Sequence, residues 1–220
     1  MMKRGLIVFV LCFLLFVSLT SFISAAIIAD HNAVREFDQI PPYWMEQAKN
    51  LTMQYAHRSD GNNIFEGLGY LYTYVDNVRY RYAERDVGIG GTPALPTQTN
   101  PPGLRLMDGN PPTDIYSYPT LYWASSQGIN ATILNANSGL FNISMWSWCN
   151  DFDAPADAAI QQYLNQMNAF ELLFPRMRFI LQTSYTVNSN AALVRNNQIV
   201  RNYSIANNKT LFDFEDIGKY

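Results

Sequence analysis

Between a short apolar run and a helix-patterned segment stands Tyr55-Ala56-His57-Arg58-Ser59-Asp60-Gly61-Asn62-Asn63. A serine at a strand-to-helix turn presents its hydroxyl above a sheet edge, where the following amides and the helix N-terminus stabilise negative charge. The chemistry open to Ser59 is nucleophilic attack, with an oxyanion forming beside it. A hydroxyl is a poor nucleophile unless a base lies within hydrogen-bond reach. His57 shares a face with Ser59 if the segment stays extended, whereas a turn between them separates the two side chains. Three roles are open to His57: base, orienting donor, or a structural histidine satisfied by a backbone carbonyl.

Other residues suggest weaker chemistry. Asp151 and Asp153 with Glu215 or Asp216 could pair as the carboxylates of glycoside hydrolysis, although acidic residues on neighbouring strand-end loops are common. Beyond residue 26 the chain holds two histidines, His31 and His57, and one cysteine, Cys149. They form no ligand-spaced cluster, so neither a metal nor another cofactor is expected. Cys149 reads as a small buried hydrophobe rather than a nucleophile. Among the tryptophans, Trp146 in a strand interior suits the core, and Trp148 nearer the strand end suits a cleft wall.

The elements that must position these residues follow from pattern. At 220 residues, 48% hydrophobic and 15% charged, the chain suits one packed domain. Met1 to Ala26 reads as an export signal: Lys3 and Arg4, an apolar stretch, then Ser24-Ala25-Ala26. The alternative is an uncleaved anchor over residues 5–28, because Ile27 and Ile28 extend the apolar run. The protein is therefore expected to be secreted or held at the cell envelope, meeting membrane only through this segment. Residues 27–40 form a polar lead-in, and 41–220 the domain. A net charge of −3 without a basic stripe argues against nucleic acid as a partner.

Tyr43–Asn50 suits a short helix and Leu51–Ala56 the first strand. Ile64, Phe65, Leu68, Leu71, Tyr72 and Val75 recur at helical steps over 63–75. Residues 84–120 read as loop, broken by many glycines and prolines. Helix over 118–136, strand over 141–148, helix over 155–174, strand over 177–183, helix over 190–207 and strand over 209–214 then alternate. Such spacing implies right-handed parallel crossovers and a three-layer α/β/α sandwich with a mainly parallel sheet. Ligands of such sheets sit outside the carboxyl ends of the strands. That selects His57–Asn63, Cys149–Asp153, Ser184–Ser189 and Asp213–Gly218.

Two of these loops carry a resemblance. Ser59 after the first strand, and Trp148-Cys149-Asn150-Asp151 after a middle strand, resemble the SGNH or GDSL-like hydrolases, whose sheet is flavodoxin-like. Trp146-Ser147-Trp148-Cys149 and His57-x-Ser59-x-Gly61 are closer still to uncharacterised exported microbial proteins of SGNH-like type. The resemblance implies Ser59 as nucleophile, with Asn150 and the Ser59 amide as oxyanion donors, and a glycine of the Gly88–Gly91 turn, Gly90 or Gly91, as a third. It implies an ester hydrolase acting on O-acyl groups of a small-molecule or carbohydrate substrate. The family's Gly-Asp-Ser is here His57-Arg58-Ser59, and Trp148 stands where Gly-x-Asn-Asp has its glycine. The family's base comes from an Asp-x-x-His block, but neither Asp213 nor Asp216 is followed by histidine three residues later. Two expectations follow: a member whose C-terminal end is missing, or a degenerate member that binds glycan or envelope material without turnover.

Overall fold

The computed structural model describes residues 25–149, 157–185 and 191–219. Seven strands form one sheet: β1 (Ile27–Ala29), β2 (Thr52–Ala56), β3 (Tyr82–Asp86), β4 (Leu104–Asp108), β5 (Ile143–Trp146), β6 (Arg178–Gln182) and β7 (Thr210–Phe212). Every pairing is parallel, in the order β1-β7-β6-β5-β2-β4-β3. Helices α1 (His31–Arg35), α2 (Pro42–Ala48), α3 (Asn62–Tyr70), α4 (Ser126–Asn137), α5 (Asp157–Leu173), α6 (Ala191–Ala206) and α7 (Phe214–Lys219) connect and flank the strands. The five central strands in the order β4-β2-β5-β6-β7 reproduce the flavodoxin-like 2-1-3-4-5 arrangement, whose switch point falls between β2 and β5.

Successive strand residues point to opposite faces, and both faces are covered, as a parallel sheet requires. On one face Tyr55, Leu106 and Met145 pack with Phe65 of α3. On the other, Ala56, Met107, Trp146, Phe179 and Leu211 pack with α4, α5 and α6. The stripe Ile160, Tyr163, Leu164, Met167 and Phe170 of α5 is buried as its spacing predicts. Asp153 and Pro155, which the sequence suits to capping and opening this helix, lie outside the described residues.

Three expectations are corrected. The loop expected over 84–120 contains most of β3 and all of β4, which extend the sheet beyond β2. The polar lead-in over 27–40 contains β1, which pairs with β7 at the other edge, and α1. Ile27 and Ile28, which lengthen the apolar leader in sequence, thus belong to a strand. The helix expected over 118–136 is shorter, with a single 3₁₀ turn at Pro119–Leu121 before α4. No helix among the described residues is long and apolar enough to cross a membrane.

A buried polar network pins the segment after β4 to the sheet. The Gln54 amide donates to Gly109 O at 3.2 Å and Asn110 Oδ1 at 2.8 Å, and accepts from Ser144 at 2.5 Å. Asn110 donates to Leu121 O at 2.7 Å, and Asn135 of α4 donates to Asn110 Oδ1 at 2.8 Å and Pro111 O at 2.9 Å. These bonds satisfy amide groups that burial would otherwise leave costly, all but Asn135 Oδ1, which is buried without a partner. They also fix where residues 111–118 cross the carboxyl end of the sheet.

Candidate active site at the end of strand β2

Ser59 opens a 3₁₀ turn, Ser59–Gly61, that runs directly into α3. Arg58 before it is extended, and its carbonyl accepts from the Gly61 amide at 2.8 Å. A glycine is needed at this corner: a Cβ on Gly61 would stand 2.4 Å from His57 Cβ and 2.7 Å from Tyr55 Oη. The corner leaves Ser59 exposed, at the amino end of the helix and beside the switch point between β2 and β5. Its Oγ lies 3.2 Å from Cys149 Sγ, the buried thiol that follows β5. Of the two strand-end segments, Ser59 of one and Cys149, the first residue of the other, meet at one rim.

The turn separates His57 from Ser59. His57 forms an isolated bridge with Tyr116, while its ring is buried between Tyr55 and Phe65. Nε2 faces Asp108 Oδ2 at 3.2 Å and Nδ1 faces the Arg58 carbonyl at 2.9 Å. Both partners are acceptors, so the ring is fully satisfied only with both nitrogens protonated. Burial disfavours that cation, but Asp108, the Arg58 carbonyl and Asp86 outweigh burial and raise the pKa above the ordinary histidine range. With Nδ1 on the Arg58 carbonyl and Nε2 on Asp108, neither ring nitrogen is turned to Ser59. Of the three roles open in sequence, the geometry matches the structural one.

A residue that sequence reasoning passed over completes the cluster. Tyr116 places its phenol beside the hydroxyl and amide of Ser59 and the side chain of Arg58, close enough for them to shift its titration. The Arg58 guanidinium lies 5.5 Å from the Tyr116 ring centre and 4.2 Å from that of Tyr118. The Ser59 donors and the Arg58 charge lower the phenol's pKa. Tyr116 lies 57 residues from Ser59 in a segment patterned as loop, and no spacing signal marks it.

The remaining candidates separate. Asn150 and Asp151 lie outside the described residues. Trp148 is a correction: it is 1% exposed and packs against Trp123, Trp146 and Tyr163, so it belongs to the core rather than a cleft wall. The glycine donor is corrected too, because the Gly90 amide already bonds Pro112 O and the Gly91 amide Gly88 O. Asp213 accepts two bonds from Arg201, at 2.6 and 2.7 Å, and Arg201 also holds Glu215 at 2.7 Å. That makes Asp213 and Glu215 partners in a buried ion network rather than free carboxylates.

The chain matches no protein-family model, no curated protein and no solved structure.

Asp30, His31 and Asp216 bring three possible metal-donor atoms within 4.8 Å of one another. Their donors are engaged, since Asp30 caps α1 and His31 Nδ1 lies 2.5 Å from Asp216 Oδ2.

Proposed function

We propose that the protein is an exported serine ester hydrolase of SGNH-like type, acting on O-acyl groups of carbohydrate or cell-envelope substrates. The observation that carries the reading is the exposed Ser59 hydroxyl at a helix amino end, beside the switch point of a flavodoxin-ordered sheet and next to the Tyr116 phenol. The reaction class follows from that hydroxyl, and the substrate class and export from the sequence resemblance and the leader pattern.

Ser59 Oγ attacks the acyl carbon and its proton passes to the Tyr116 oxygen, in the place the family gives to histidine. The step draws on the phenolate form of Tyr116, which Arg58 and the Ser59 donors favour. Once protonated, Tyr116 is a weaker acceptor, and the amide is free to meet the charge now forming on the acyl oxygen. Tyr116 then protonates the departing alkoxide, and a water deprotonated by the same phenolate hydrolyses the acyl-enzyme.

The test is turnover of short acyl esters of nitrophenol by the purified protein. Hydrolysis lost in Ser59→Ala but kept in an exposed-serine control such as Ser126→Ala supports the reading. Equal turnover in Ser59→Ala contradicts it. The second reading, a glycan-binding module on the same fold, is favoured by the spent His57 ring. It predicts no turnover and saturable binding of envelope polysaccharide.

A further inference from the structure

An apolar cavity of about 410 Å³ lies on the α3 face of the sheet, within the roughly 300–1,000 Å³ range of small-molecule sites. Phe37, Ile40 and Trp44 form one wall, Leu68 and Leu71 another, and Leu104 contributes from the start of β4. Three cations, Lys49, Arg79 and Arg81, share the lining, and no acidic side chain does.

The cations are differently placed. Lys49 is buried and is neutralised by Glu46 at 2.5 Å. Arg79 donates to the carbonyls of Phe37 and Ile40 at 3.5 and 3.0 Å, and its Nε is buried without a partner. Arg81 donates to Asn77 O and Pro101 O, each at 3.3 Å. Carbonyls orient a guanidinium without cancelling its charge, and no ion pair among the described residues includes either arginine. The neighbouring acid is Asp76, whose carboxylate accepts the amides of Val78 and Arg79. Tyr43 and Trp44 stand 62% and 61% exposed on α2, so the cavity opens beside an aromatic flank. Amphipathic rings of this kind suit the junction of a hydrocarbon tail with water.

We propose that this cavity binds a single alkyl or acyl chain carrying an anionic head, with the tail between α2 and α3 and the head at Arg79 and Arg81. An unbranched tail asks nothing of the polar-poor walls and gains by leaving water. The anionic head is what two guanidinium groups without a close ion pair, Arg79 only partly offset by Asp76, select. Tyr82 and Leu104 begin β3 and β4, whereas Ser59 follows the end of β2, so the cavity and the serine lie at opposite ends of the strands. The cavity can thus be tested without the ester hydrolase.

The test is calorimetric titration of the full chain with laurate and with dodecyltrimethylammonium, which share a tail and differ in head charge. Saturable one-to-one binding of laurate, at least tenfold tighter than the ammonium, is expected. Ala48→Trp, which fills the cavity from α2, abolishes it. Arg81→Glu reduces the preference for laurate at least tenfold with an unchanged circular dichroism spectrum, so the charge is tested even if the cavity-filling variant folds poorly. No binding of laurate, equal affinity for the two heads, or a preference unmoved by Arg81→Glu overturns the proposal. Given laurate binding, sedimentation with phosphatidylglycerol vesicles that Arg81→Glu abolishes supports it with a bilayer lipid as the source. Absence of sedimentation supports it with a free fatty acid.

Discussion

At the scale of the residue, one turn decides the chemistry. His57 and Ser59 are separated because the chain changes from extended backbone to a 3₁₀ turn at Arg58, and the ring goes inward as the hydroxyl goes outward. If Tyr116 accepts the serine proton, Tyr116→Phe lowers kcat/KM by about 10²–10⁴-fold, the usual contribution of a positioned proton acceptor. In the wild type, kcat/KM then rises with pH into the alkaline range, along a limb below the ordinary tyrosine value of about 10, because Arg58 and Ser59 stabilise the phenolate. A pH–rate profile unchanged by Tyr116→Phe would remove Tyr116 from the mechanism. His57 makes a separate prediction, about stability. Its pKa is raised on folding, so the stability of the charged His57–Asp108 pair is fully present below the unfolded histidine pKa. It is lost as pH rises through the raised folded value. In urea denaturation, Asp108→Asn should cost about 1.5–3 kcal/mol at pH 5.5, as for a hydrogen bond to a charged group. The cost should shrink as the pH rises past the histidine range.

At the scale of the element, the buried amide network decides where Tyr116 stands. Gln54, Asn110 and Asn135 join β2, the segment after β4 and α4 through two bonds of 2.8 Å, both accepted by Asn110 Oδ1. Asn110→Ala leaves Gln54 and Asn135 short of a buried partner and should cost about 1–3 kcal/mol. Since residues 111–118 hang from this network, the same variant should slow ester turnover while Ser59 itself is untouched. Melting temperature and kcat measured together check both effects. What the sequence made legible follows the same logic of burial. β2, β5, β6 and β7 are central or nearly so, carry apolar residues on both faces, and announce themselves. β3 reads Tyr82-Ala83-Glu84-Arg85-Asp86 and is an edge strand exposed over its last three residues, so no hydrophobic run marks it. β4 sits directly behind proline and glycine, and β1 has only three residues at the end of an apolar run. In each case pairing with a neighbour made the strand, and pairing is not written in local pattern.

At the scale of the whole molecule, the sheet order brings chemistry to one place. The strand ends chosen from sequence included those of β2 and β5, and Ser59 and Cys149 touch across them at 3.2 Å. Tyr116 was hidden because its contact with Ser59 depends on β4 lying beside β2 and on the return of the chain over their carboxyl ends. Trp148 was misplaced for a related reason: five residues of α5 and the rings of Trp123 and Trp146 converge on the same face, and a large ring at a strand end was drawn into that cluster. The opposite end of the sheet holds the apolar cavity, so the molecule separates a polar, serine-bearing rim from a hydrocarbon-lined one.

The most direct measurement is covalent. The purified protein is treated with a fluorophosphonate and the adducted residue located by mass spectrometry of its peptides. A single adduct on Ser59, absent in Ser59→Ala and slowed in Tyr116→Phe, is the result expected of an activated nucleophile at the end of β2. No adduct at Ser59 at a concentration that labels a known serine hydrolase, or an equal adduct rate in Tyr116→Phe and on exposed control serines, would contradict it.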